Sequence, residues 1–237
     1  MLTVLAYLVV GIFLVGFTHR IWLYASCPAP LKIPTTPAPV TTVGVVWRLF
    51  TEIAFFNSLF KGDKWAWVGS YAFHGALALV LVRHLRYFVD PLPGFFAHIQ
   101  IAGIVAGLVM VGGLGLLLLR RLIIDRVRYI SSPADYLWLM LLLGIGGSGL
   151  LMQFCVRPDI VHIKAAMMGM WSSTNVSLPT MMAGDFIFLA HLLMVAALVV
   201  LFPFSKLMHL GGIFFSPTRN QVDNPREVKH VNPWASN

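Results

Sequence analysis

Residues Trp67 to Tyr87, WVGSYAFHGALALVLVRHLRY, decide how the rest of this chain is read. The run is apolar enough to span a bilayer, yet it holds two imidazoles, His74 and His84. Ionisable groups at that depth are costly and mark functional positions. Ten residues of helix at 1.5 Å each separate the two by about 15 Å, one toward each membrane face. A second apolar run, Phe186 to Leu210 (FIFLAHLLMVAALVVLFPFSKLMHL), carries His191 and His209, again one near each end. If these helices run antiparallel, His74 faces His209 and His84 faces His191.

Composition sets the class. The chain has 237 residues, 58% hydrophobic and 11% charged, with a mean hydropathy of +0.81, far from the proportions of a soluble domain. It reads as an all-α integral membrane bundle of five transmembrane helices, at about 2–25, 65–88, 99–119, 136–155 and 186–207. The whole of 1–237 reads as one membrane domain, with a loop at 26–64, a tail at 216–237 and no soluble domain between the spans. A net charge of +8 raises the question of an acidic partner. The basic residues lie beside spans, however: Arg20, Lys32, Arg48, Lys61, Lys64, Arg120, Arg121, Arg126, Arg128, Lys206, Arg219, Arg226 and Lys229 fall on one side, thirteen of seventeen. The positive-inside rule then puts the N-terminus outside and the C-terminus in the cytoplasm, and no nucleic acid is needed to explain the charge. His74 and His209 become the inner pair, His84 and His191 the outer.

The loops carry further signals. Cys27 to Thr42 is rich in proline and reads as an extended connector. Gly44 to Phe60 patterns as an amphipathic helix on the cytoplasmic face, for anchoring in the membrane or docking a partner. Arg20 reads as a snorkelling interfacial residue or a contact to a carboxylate. Arg83 and Arg86 crowd His84 and are placed either to anchor the interface or to bind haem propionates. Tyr87, Asp90, His98 and Gln100 ring the same outer level, where a quinone headgroup needs donors, acceptors and proton carriers; a satisfied interfacial histidine is the other explanation of His98. Glycines in spans three and four, with one Gly-x-x-x-Gly at Gly103 and Gly107, read as packing residues. Ser132 reads as a cap ahead of Pro133. Met167, Met168, Met170, Met181, Met182 and Trp171 form either a soft outer cover or apolar filler. Lys206 stands one turn before His209, within reach of an inner propionate.

Imidazole is a metal ligand, and two matched pairs on counter-running helices suit axial ligation of two haems, the layout of a di-haem b cytochrome. Two distant cysteines, Cys27 and Cys155, exclude a Cys-x-x-Cys-His attachment, so such haems are held without thioethers. One tension remains: the eighteen residues from His191 to His209 span about 27 Å, against about 15 Å for the other pair. Tilt, or a kink at Pro203, would reconcile them. Two other classes compete. A haem-free membrane anchor leaves the four histidines unexplained, and an ion transporter calls for acidic groups mid-membrane, of which the chain has almost none.

Several motifs together resemble the haem b gamma subunit family of respiratory nitrate reductase. They are Phe73-His74-Gly75 with His84 ten residues on, Leu119-Arg120-Arg121-Leu122 followed by Arg126-Val127-Arg128, Ala134-Asp135, and Leu201-Phe202-Pro203-Phe204-Ser205-Lys206 through His209. The resemblance implies an outer haem on His84 and His191, an inner haem on His74 and His209, and quinol exchange, with menaquinone or ubiquinone, near the outer one. The proline-rich first loop and the tail NQVDNPREVKHVNPW (Asn220 to Trp234) are more similar to the M subunit of the membrane complex that accompanies dissimilatory sulfite reductase. That likeness implies a redox subunit of a quinone-linked complex in a prokaryotic inner membrane. Its partners would be a cytoplasmic iron-sulfur subunit related to heterodisulfide reductase and further membrane and periplasmic redox subunits.

Overall fold

The computed structural model describes residues 2–28, 37–172 and 183–223, and every regular element among these is helical. In chain order they are α1 (Leu2–Ser26), α2 (Thr42–Phe55), α3 (Asn57–Gly62), α4 (Lys64–His84), α5 (Phe95–His98), α6 (Gln100–Ile123), α7 (Asp125–Tyr129), α8 (Pro133–Phe154), α9 (Ile160–Ser172), α10 (Ala183–Leu201), α11 (His209–Gly212) and α12 (Pro217–Asn220). Among the described residues, five helical runs are long and apolar enough to cross a membrane: Thr3–Ser26, Lys64–Tyr87, Gln100–Ile123, Pro133–Phe154 and Gly184–Phe204. Each lies within a few residues of a predicted span. Lys32, half of the proline-rich connector, Met181, Met182, the side chain of Trp171, and the tail beyond Asp223 with Arg226 and Lys229 lie outside the described residues.

The chain groups into two compact units: Gly62–Leu198 with the residues up to Val9, and Val10–Lys61 with the chain from Val199 onward. In the first, α4 and α6 form the core, where Phe73, Ala76, Ala106, Met110 and Leu114 are buried together. Their backbones meet at Gly113: a Cβ there would lie 3.0 Å from the Gly69 carbonyl oxygen and 3.1 Å from the Phe73 nitrogen. Lipid offers no hydrophobic drive for helices to associate, so such close approach is what dispersion contacts require. The packing role expected of the glycines holds here, although Gly103 of the Gly-x-x-x-Gly seats the Arg83 side chain instead of a helix backbone. At the other end of the same helices, Asp63 caps α4 by accepting from the Ala66 N–H at 2.9 Å and also pairs with Arg120. The expected start of the fourth span is present as a capping box. The Asp135 carboxylate accepts from both the backbone N–H and the hydroxyl of Ser132 at 2.9 Å, with Pro133 at the first position.

The second unit corrects two expectations. The amphipathic helix is not continuous to Phe60: it ends at Phe55, and Phe56 takes a left-handed conformation at φ 51°. Glu52 explains the break. Its buried carboxylate draws in the backbone N–H and hydroxyl of Ser58, with Arg219 3.6 Å away. The polar side of α2 is thus internal, while Val46, Trp47 and Phe50 are exposed. Second, His191 and His209 do not share one kinked helix. The α-helix stops at Leu201, Phe202–Phe204 and Lys206–Met208 are separate 3-10 turns, and His209 opens α11. Pro203 lacks an N–H and Ser205 is extended (φ −119°, ψ 173°), its hydroxyl capping the next turn at the Leu207 N–H. The Pro203 carbonyl is taken instead by Arg20, whose Nε donates to it at 3.2 Å. This contact is neither of the two roles the sequence suggested for Arg20.

Candidate functional site

Within the first unit, α4 and α10 bring His84 and His191 together. Their ring centroids are 6.4 Å apart and their planes are within 10°. Hydrogen bonds fix both rings. Nδ1–H of His84 donates to the Val80 carbonyl one turn back at 2.7 Å. His191 Nδ1 meets the Ser148 hydroxyl of α8 at 2.9 Å, and that hydroxyl itself lies 3.0 Å from the Ile145 carbonyl. A hydroxyl has one proton, and given to Ile145 it leaves the oxygen as acceptor for His191 Nδ1–H. Both imidazoles therefore carry their proton on Nδ1 and present the Nε2 lone pair.

That arrangement can be tested against a metal held end-on by both rings. Two metal–imidazole bonds of about 2.0 Å, with the ring radius added at each side, place the centroids roughly 6.3 Å apart. The observed spacing fits. Among the described residues no cluster of three or more His, Cys, Asp or Glu side chains could hold a bare metal ion. Two imidazoles with no third protein ligand would suit a haem iron, which takes its other ligands from the porphyrin, better than a bare ion.

His74 and His209 lie in different units and are described separately. His74 Nδ1–H donates to the Ser70 carbonyl at 2.7 Å, and its ring meets Phe73 edge-on at 4.7 Å. His209 Nδ1–H donates to the carbonyl of Lys206 at 3.0 Å, so Lys206 fixes this ring through its backbone. In both, the proton on Nδ1 makes Nε2 the basic nitrogen, the tautomer that a metal takes.

Beside His84 opens a cavity of about 390 Å³. Of the four residues expected around a quinone, Tyr87 and Gln100 line it and Asp90 and His98 do not; Arg83, Arg86 and Lys164 of α9 line it as well. The Tyr87 ring is 5.9 Å from that of His84, so a molecule seated on Tyr87 is next to the imidazole. Arg83 crosses Gly103 and donates to Gln153 of α8 at 3.2 Å; Arg86 lies over the Tyr87 ring at 5.2 Å. Lys164 is paired with Asp90 at 2.6 Å. His98 is exposed at the end of α5 and is not part of the lining. The methionines expected to form a cover lie partly on α9, where Met170 is buried and Met167 and Met168 are half-buried, and α9 packs on the Leu85–Tyr87 turn. Ser148, Gln153 and Lys164 had one available signal. Ile160, Ile163, Met167 and Met170 recur at helical spacing, and this places Lys164 on a packed helix.

These features define a multi-pass membrane protein with a pre-aligned imidazole pair between two of its spans. Residues 33–225 match the family described as nitrate reductase gamma subunit, and the chain belongs to that family. Among its relatives, a protein of Archaeoglobus fulgidus named "Hdr-like menaquinol oxidoreductase cytochrome b-like subunit" is 36% identical over 273 aligned positions, covering 98% of this chain and 82% of that one. A protein of the same name from Archaeoglobus profundus is 30% identical, with the same coverage.

Proposed function

We propose that this chain is a membrane cytochrome b subunit holding two b haems and carrying electrons between a quinone near one face and an iron-sulfur partner at the other. The observation that carries the reading is the His84–His191 pair, with ring centroids 6.4 Å apart, near-parallel planes and Nδ1 of each ring already hydrogen-bonded, which leaves Nε2 for a ligand. His84 and His191 hold the outer haem, and His74 and His209 the inner one. A bound haem supplies a one-electron iron couple. The protein's own residues set its surroundings. Val80, Ser148, Ser70 and Lys206 orient the imidazoles, while Arg83 and Arg86 supply cations for propionates and Lys206 a further one at the inner end.

The name of the relatives supports menaquinol as the quinone and an Hdr-like assembly as the setting. On that basis the partner is a cytoplasmic iron-sulfur subunit related to heterodisulfide reductase; the setting in dissimilatory sulfur metabolism and a prokaryotic inner membrane rests on the likeness of the first loop and the tail to the M subunit. Thirteen of seventeen basic residues on one side support an outer N-terminus and a cytoplasmic C-terminus. The family match also favours a second reading, the gamma subunit of a nitrate reductase, which uses the same haem scheme. A pyridine haemochrome assay with reduced-minus-oxidised spectra on the purified protein tests the proposal. Two b haems per chain are expected; His84→Ala or His191→Ala loses one, His74→Ala or His209→Ala the other. Colourless protein, or a full complement in any of these variants, overturns it.

A further inference from the structure

The cations around the outer cavity fall into two kinds. Arg83 donates to the neutral Gln153 and Arg86 lies on the Tyr87 ring, and among the described residues neither guanidinium is paired with a carboxylate. Uncompensated guanidiniums suit an anion, and propionates are one. Lys164 differs. It comes from α9, its ammonium is compensated by Asp90, and its side chain is 28% exposed against 60% for Asp90. Lys164 thus belongs to the cavity wall, and its carboxylate partner is the more exposed member of the pair. The rest of the lining is mixed: Leu92, Pro93, Phe96, Ile160 and Tyr87 give it apolar and aromatic walls, and Arg83, Arg86 and Gln100 give it polar ones.

On the side of the cavity where Leu92, Pro93, Phe96 and Ile160 stand, an electrically neutral pair with an N–H donor suits an uncharged aromatic ligand with a polar oxygen, while Arg83 and Arg86 remain for an anionic group. The pair itself does not suit an anion, since Asp90 would repel one. The volume of about 390 Å³ lies within the range of small-molecule sites and accommodates a two-ring headgroup. We propose that Lys164, held in place by Asp90, is the residue that binds and positions the quinol headgroup by donating a hydrogen bond to one of its oxygens. This rests on the quinone-linked reading above and makes Lys164, not His98, the principal polar contact.

The test is a fluorescence-quenching titration of the purified protein with the quinol analogue 2-heptyl-4-hydroxyquinoline N-oxide, with haem content measured on the same samples. Lys164→Met should weaken binding at least tenfold at unchanged haem content. Lys164→Arg, which keeps a donor, should stay within about threefold of wild type, a rescue that a merely structural role would not give. Asp90→Asn, which leaves the ammonium unanchored, should weaken binding as well and serves if Lys164→Met fails to fold. Steady-state oxidation of menadiol should show the loss in KM and not in kcat. If the wild type does not bind the analogue, the quinone reading itself fails. If the wild type binds and both Lys164→Met and Asp90→Asn bind equally well, this assignment alone falls. The same holds if Arg83→Gln abolishes binding while Lys164→Met does not.

Discussion

Replacing Ser148 by alanine separates the chemistry of the site from the stability of the fold. The Ser148 hydroxyl gives its proton to Ile145 and accepts one from His191 Nδ1 at 2.9 Å. Ser148→Ala leaves that N–H without its acceptor, a loss of about 1–3 kcal/mol for a half-buried donor. At about 1.4 kcal/mol per decade this is roughly a 5- to 150-fold fall in haem affinity, in line with the 10- to 100-fold typical of groups that orient a ligating histidine. The haem-free fold should change little, because without a ligand the ring can turn toward another partner and alanine is a better helix former than serine by a few tenths of a kcal/mol. Reconstitution of haem-depleted protein with haemin, followed by absorbance, should therefore show one site weakened and one unchanged, with the thermal midpoint of the depleted protein equal to or above wild type. Ser148→Thr keeps a hydroxyl and should recover most of the affinity. Unchanged affinity at both sites in Ser148→Ala, with an unmoved midpoint potential, would show that His191 is not held by this bond and would refute the tautomer argument.

Three other perturbations have definite expected outcomes. Gly113→Ala puts a methyl 3.0 Å from the Gly69 carbonyl and 3.1 Å from the Phe73 nitrogen, backbone that cannot step aside, and should cost about 1–3 kcal/mol in a detergent unfolding titration. Gly112→Ala, with nothing within 4 Å, should be neutral or better. The Ala66 N–H, and after it Arg120, holds the Asp63 carboxyl below the usual carboxylate range. A depressed folded value contributes stability that is present above the ordinary value of 3.8 and is lost as pH falls through the folded one. The thermal midpoint of Asp63→Asn should thus fall less steeply than that of wild type as pH drops from 5 toward about 3; parallel slopes would refute this, and Asp63→Ala should cost about 1 kcal/mol through the lost cap. Cys27 and Cys155 are both exposed, and the proposed orientation puts them on opposite faces. A membrane-impermeant maleimide applied from outside should label Cys155 alone, and labelling of Cys27 instead would invert the topology.

What the sequence revealed, and what it concealed, follows from the range of the forces involved. The spans were legible because crossing hydrocarbon is a local requirement: each helix satisfies its own backbone bonds, so an apolar run of sufficient length declares itself. The histidines were legible for the same reason, since a costly group in an apolar run stands out with no partner in view. The structural break near Pro203 was only half legible. Proline announces a missing donor, but nothing in the sequence shows that the freed carbonyl is met by Arg20, 183 positions away. Glu52 misled in a similar way, for its charge reads as a solvated face until Ser58 and Arg219 are seen to enclose it. The roles of Ser148 and Lys164 were invisible because each acts across helices, and helical spacing shows only that Lys164 lies on a packed helix. A lone serine among glycines and a lysine in a methionine-rich segment acquire roles only once α8 meets α10 and Asp90 is brought to α9. Local cost thus marks the histidines proposed as ligands, and long-range pairing sets the hydrogen bonds that orient His191 and hold Lys164.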